Sequence, residues 1–123
     1  MPILNYTTSI DPTRTTGEIQ KMLQKHDIVH FSIRYEDKNP VGVTFAIQFN
    51  GQMLNFYLDC NIKGVHNCLI NDPKVPFKNR TKEQALKTSW RILKDWIVAQ
   101  LALVEAELTT LPKVFLPYVV ILS

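Results

Sequence analysis

The sequence predicts an α+β domain: a three- to five-stranded, mainly antiparallel sheet packed against a short N-terminal helix and one long C-terminal helix. Three observations lead there. Three consecutive stretches between positions 29 and 59 alternate apolar with other residues, Asn50-Gly51 joins two of them, and apolar residues recur at helical spacing from Ala85 to Leu108. Period two sends alternate side chains to opposite sheet faces, whereas period 3.6 gathers them on one helix face. A chain of 123 residues is long enough for one core and too short for two, so 1–123 reads as a single domain.

Taken in order, Ile3–Thr8 reads as a short strand. Thr15 followed by Glu18 is a capping box, and Ile19, Met22, Leu23 and His26 continue at i, i+3, i+4 and i+7. This predicts a first helix from about Thr16 to about Lys25. Val29, Phe31, Ile33 and Tyr35 form the first apolar row, and Asp37-Lys38-Asn39-Pro40 makes a turn. Val41, Val43, Phe45, Ile47 and Phe49 form the second row. Asn50-Gly51 suits a type I′ hairpin, which needs positive φ at both central residues. Leu54, Phe56 and Leu58 form the third row, giving an antiparallel meander with one face in the core and one mixed face.

Ile62–Ile70 reads as a short helix, and Asn71 to Phe77 as a proline-bearing loop. A second capping box, Thr81 with Gln84, opens the long helix, about 28 residues and roughly 42 Å, ending near Thr109-Thr110 before Pro112. Its apolar residues span roughly 200°, about twice what one sheet contact needs, so it is expected to be buried on two sides. The second side belongs to the first helix, the C-terminal segment or a second copy in a homodimer through this helix. Val119–Leu122 reads as a final strand.

Composition narrows the function. With 46% apolar residues the chain is not disordered, and without 18 consecutive uncharged apolar residues it has no membrane span. The first residues lack a basic, then apolar leader, and two cysteines make no disulfide scaffold, so a reducing cytoplasm is expected. The formal charge of +3 is unevenly distributed. Lys74, Lys78, Arg80, Lys82, Lys87, Arg91 and Lys94 face only Glu83 between positions 74 and 94, while the segments on either side are slightly acidic. Such a concentration attracts phosphates. A solvated basic face is the bland alternative. Cations at the N-terminus of the long helix oppose its dipole unless an anion neutralises them.

Other chemistry is sparse. Cys60, His66 and Cys68 offer three soft ligands without the paired spacing of a zinc site, so no metal is expected. There is no nucleotide loop, nucleophile elbow or metalloprotease helix, which leaves no enzyme and no cofactor. Trp90 and Trp96 fall in the apolar arc and read as core. Tyr57 on the mixed sheet face and Phe77 between Lys74 and Lys78 are the aromatic residues placed to stack on a base. Phe77 reads equally well as an anchor holding its loop on the core.

The helix–strand–strand–strand–helix order resembles the double-stranded-RNA-binding domain, although residues 60–81 replace its short Lys-Lys loop. Thr15-Thr16-Gly17-Glu18-Ile19-Gln20, Thr81-Lys82-Glu83-Gln84-Ala85, Trp90-Arg91-Ile92-Leu93-Lys94-Asp95-Trp96 and Leu116-Pro117-Tyr118 resemble an uncharacterised family of small bacterial and phage or prophage proteins. That resemblance implies a mobile-element setting and no activity. The expected function is a nonenzymatic nucleic-acid-binding accessory protein, contacting DNA or RNA through the basic loop and helix start. The alternative is a protein-binding module, such as a phage-encoded inhibitor or adaptor on a host defence complex, meeting an acidic partner with the same residues.

Overall fold

The computed structural model describes residues 5–120. In order, the chain forms α1 (Pro12–Gln24), β1 (His30–Glu36), β2 (Asn39–Phe49), β3 (Gln52–Asp59), α2 (Ile62–Asn71), α3 (Lys82–Glu105) and α4 (Leu111–Val114). Short 3-10 turns occupy Phe77–Asn79 and Leu116–Tyr118. The class is α+β, with a helix before the sheet and the long helix after it, as the patterning predicts.

The strands form an antiparallel meander in the order β1-β2-β3. Phe45 lies opposite Phe31 on one side and Phe56 on the other, Val43 opposite Ile33 and Leu58, and Ile47 opposite Leu54. This register puts the three apolar rows on one face. Asn50 and Gly51 have φ of 52° and 78°, the positive pair that a type I′ hairpin demands. The turn between β1 and β2 is tighter than Asp37–Pro40: only Asp37 and Lys38 take positive φ, and Asn39 and Pro40 already belong to β2.

The helices cover the apolar face. Trp90, Phe45, Phe56 and Phe115 are fully buried. Phe45 stacks on Phe56 at 5.2 Å between centroids, and Phe115 meets Phe45 edge-on at 5.3 Å. Such pairs contribute about 0.5–1.5 kcal/mol each beyond their area. The Trp90 indole N–H donates to the Pro40 carbonyl at 2.9 Å, so the largest buried side chain is also satisfied. A smaller cluster of Leu69, Val75 and Ala85 joins α2 and the following loop to the start of α3. The wide apolar arc of α3 is thus explained inside one chain, by the sheet together with α1, α2 and the segment around Phe115.

Four boundaries differ from those the sequence predicts. Asn5–Thr7 is a turn rather than strand, and Ile3 and Leu4 lie outside the described residues. α1 starts at Pro12: Asp11 is the N-cap, its Oδ1 accepting from Thr13 N–H at 2.8 Å, and Pro sits where no N–H is needed. Thr15 and Thr16 are therefore buried residues within the helix, not its cap. α3 is 24 residues long and stops at Glu105. Glu107 adopts φ 61°, its N–H donates to the Val104 carbonyl and that of Leu108 to the Leu103 carbonyl, which closes a Schellman end. Of the final strand, the described residues show a bridge between Val119 and Phe56, reinforced by Val120 N–H donating to the Asn55 carbonyl at 2.7 Å, while Ile121 and Leu122 lie outside them.

Candidate functional site

Of the seven clustered cations, several already have partners within the fold. Spacing alone offers Asp95 as the partner of Arg91 four residues away. Instead Arg91 Nη1 meets Glu18 Oε1 of α1 at 2.6 Å and the Thr15 hydroxyl at 3.3 Å. Lys94 Nζ approaches the same carboxylate oxygen at 3.3 Å, and Arg14 the other at 3.8 Å. Burial disfavours the charge on Glu18, yet the bonds from Arg91 and Lys94 outweigh it and hold the carboxyl below its usual range. Asp95 in turn accepts from the Asn5 amide at 2.9 Å. Lys87 pairs with Glu83 at 3.6 Å, the i, i+4 contact the spacing predicts.

Arg80 is internal scaffolding. Its Nε donates to the Val75 carbonyl at 3.0 Å and its Nη2 to the Asp72 carbonyl at 3.1 Å, so the guanidinium closes the loop on itself. The Arg80 carbonyl accepts from His66 Nε2–H at 2.9 Å, which fixes the tautomer of that ring. Asn79 Nδ2 donates to the Tyr6 carbonyl at 3.2 Å, and Lys74 N–H donates to Asp72 Oδ1 at 2.9 Å. Thr81 caps α3 by accepting from Gln84 N–H at 3.1 Å. The Gln84 amide does not complete the box but donates to the Thr8 carbonyl at 3.0 Å. Six bonds therefore tie residues 72–84 to themselves, to α2 and to the N-terminal segment.

On this braced loop Phe77 is 87% exposed, the most exposed large apolar side chain among the described residues. It does not anchor the loop. Val75, fully buried two residues before it, does that. Lys74, Lys78 and Lys82 are exposed and in no ion pair among the described residues. The basic segment and its aromatic thus divide: Lys74, Phe77, Lys78 and Lys82 face solvent, whereas Arg80, Lys87, Arg91 and Lys94 serve the fold.

Tyr57 is committed elsewhere. It lies across Gly42, where an added Cβ would come within 2.7 Å of its hydroxyl, and Arg34 sits 5.5 Å from its ring centroid. Burial raises the Tyr57 hydroxyl above its usual range, nearby Asp59 adds to that, and Arg34 opposes it. With its ring occupied by its own sheet, Tyr57 is not grouped with Phe77.

Cys60 is buried, and burial, aided by Asp59, pushes its thiol far above the usual range; Cys68 faces solvent. Among the described residues no three His, Cys, Asp or Glu side chains come together as metal ligands. An open cleft of about 860 Å³ lies between the β1–β2 turn and the starts of α2 and α3. Its wall carries Glu36, Asp37, Asp59 and Glu83 together with Lys63 and Lys82. Among the described residues no helix is long and apolar enough to cross a membrane. Compared with family models, curated proteins and solved structures, the chain matches none.

Proposed function

We propose that the protein binds single-stranded nucleic acid in the cytoplasm, without catalysis, through Phe77 and the lysines 74, 78 and 82. The exposed Phe77 ring carries this reading. Leaving a Phe in water forgoes roughly 1.5–3 kcal/mol available from burial. Six hydrogen bonds brace the loop that carries it, so stacking would require little further ordering of the backbone. A flat exposed ring flanked in sequence by unpaired lysines suits unstacked bases joined by phosphates, with little sequence preference. Duplexes, whose bases are already stacked, should bind more weakly.

The test is fluorescence anisotropy with labelled oligo(dT), oligo(rU) and a duplex across a salt series. Three phosphate contacts on a single strand predict a slope of about −2 in log K against log salt. Phe77→Ala should lower affinity by about 5- to 150-fold, corresponding to a stacking contribution of about 1–3 kcal/mol. Binding that ignores salt, or an unaltered Phe77→Ala affinity, rejects the proposal. The same exposed ring supports a second reading, a mobile-element inhibitor or adaptor that inserts Phe77 into an acid-rimmed pocket of a host defence protein. Recovery of one defined host protein from nuclease-treated lysate, lost in Phe77→Ala, would favour it.

A further inference from the structure

The two edges of the sheet are treated differently. The outer edge of β3 is met by Val119 and Val120. The outer edge of β1 has no neighbour among the described residues. An edge strand directs alternate N–H and C=O groups outward, and proteins usually blunt such edges with Pro, Lys or a bulge. β1, His-Phe-Ser-Ile-Arg-Tyr-Glu, contains neither Pro nor Lys, and its register break falls near its end, between Arg34 and Tyr35.

Its apolar row is also uncovered. Val29 and Tyr35 are 51% and 59% exposed, and Phe31 and Ile33 only half-buried, whereas Val43, Phe45 and Ile47 of β2 are buried. The helices end their cover at β2, so β1 combines unpaired backbone groups with an apolar flank.

We infer that β1 pairs antiparallel with β1 of a second copy, joining two three-stranded sheets across a two-fold axis. Side-chain pairing selects the register. Centred on Ile33, all seven residues pair: Phe31 faces Tyr35 of the partner subunit, His30 faces Glu36 of the partner subunit, and Arg34 faces Ser32 of the partner subunit. Aromatic pairs of this kind stabilise antiparallel ladders, and an imidazole N–H can donate to a facing carboxylate. Centring on Arg34 would set that guanidinium against its own copy. Centring on Ser32 would oppose His30 to Arg34 and leave Tyr35 and Glu36 unpaired. The long helix is the weaker choice for a dimer, since Val98 and Leu103 are its only large apolar side chains left exposed.

Sedimentation velocity across a concentration series tests the pairing, with disulfide trapping to read the register. Trapping uses the full chain carrying Cys68→Ser, which removes the exposed native thiol. Facing residues of an antiparallel pair have Cα atoms about 4.5–5.5 Å apart, within disulfide reach. Ile33→Cys should therefore oxidise to a covalent dimer faster than Ser32→Cys or Arg34→Cys, whose own copies are not opposite. Ile33→Lys should raise the dimer dissociation constant by about tenfold or more with the circular dichroism unchanged. A wild-type monomer at every concentration overturns the inference. So does a dimer that tolerates Ile33→Lys and cross-links no faster at position 33.

Discussion

Replacing Glu18 by Gln isolates the charge that binds α1 to α3. The shape of the side chain is kept, but Arg91 and Lys94 lose their shared anion. The Arg91 and Glu18 side chains are 15% and 30% exposed, between two regimes. Breaking a buried pair costs about 3–5 kcal/mol, whereas an exposed pair contributes about 0.2–1 kcal/mol. Solvent at Glu18 screens the interaction, while the 2.6 Å bond from Arg91 is charge-assisted. Hydrogen bonds to charged groups contribute about 1.5–3 kcal/mol, so we expect a loss of about 2 kcal/mol. The unfolding entropy of 123 residues is roughly 0.26 kcal/mol/K, which converts this loss to about 8 °C in Tm. Against the opposing effect of burial, the carboxyl of Glu18 is held below its usual range in the fold by Arg91 and Lys94, so its contribution is complete above the unfolded value. It disappears as pH falls through the lower, folded value. Thermal unfolding at about pH 7 and about pH 3 should therefore show a wide gap between wild type and Glu18→Gln, then a narrow one. Equal Tm values at neutral pH, or a gap undiminished in acid, would refute the reasoning.

Three further substitutions probe the frame, with a fourth as a control. Glu107→Gly should stabilise the chain by about 0.5–1 kcal/mol in urea unfolding, because φ 61° suits Gly and the helix C-terminus disfavours an acid. Trp90→Phe should destabilise by about 2–4 kcal/mol in the same assay, through the lost ring and an orphaned Pro40 carbonyl. Arg80→Ala should cost about 1–3 kcal/mol and speed amide exchange or proteolysis across residues 72–80, whereas Lys78→Ala should leave both unchanged.

Local patterns make the sheet legible. Alternation in three runs and Asn50-Gly51 specify the strands, their faces and one turn, because period two and positive φ are properties of neighbouring residues. The same patterns are silent on coverage. Val29, Phe31, Ile33 and Tyr35 have the periodicity of a core row, yet no helix reaches over the full width of β1 to bury them. The start of α1 escapes the apolar pattern because its first turn packs through Pro12, Thr15 and Thr16, which carry little hydropathy signal. Asp11-Pro12 is the available sign, an acceptor followed by a residue without N–H. For the site, clustering in sequence overstates clustering in space. Glu18 lies 73 residues from Arg91, so its claim on two of the seven cations cannot be read from spacing. Nor can the use of Arg80 as a brace, since its acceptors are backbone carbonyls and every residue has one.

The bonds that residues 5–8 make with α3 and the turn before it bear on how the chain is born. The Asn5 carbonyl accepts from the Thr88 hydroxyl at 3.0 Å, and Thr8 and Tyr6 receive the amides of Gln84 and Asn79. These partners are separated by 73 to 83 residues. A ribosome delivers the N-terminal set first, at about 5–20 residues per second, so those acceptors stay hydrated for several seconds until α3 emerges. Completion of the native state thus waits until α3 has been synthesised, and its rate should be governed by closure of that long loop rather than by formation of any single helix.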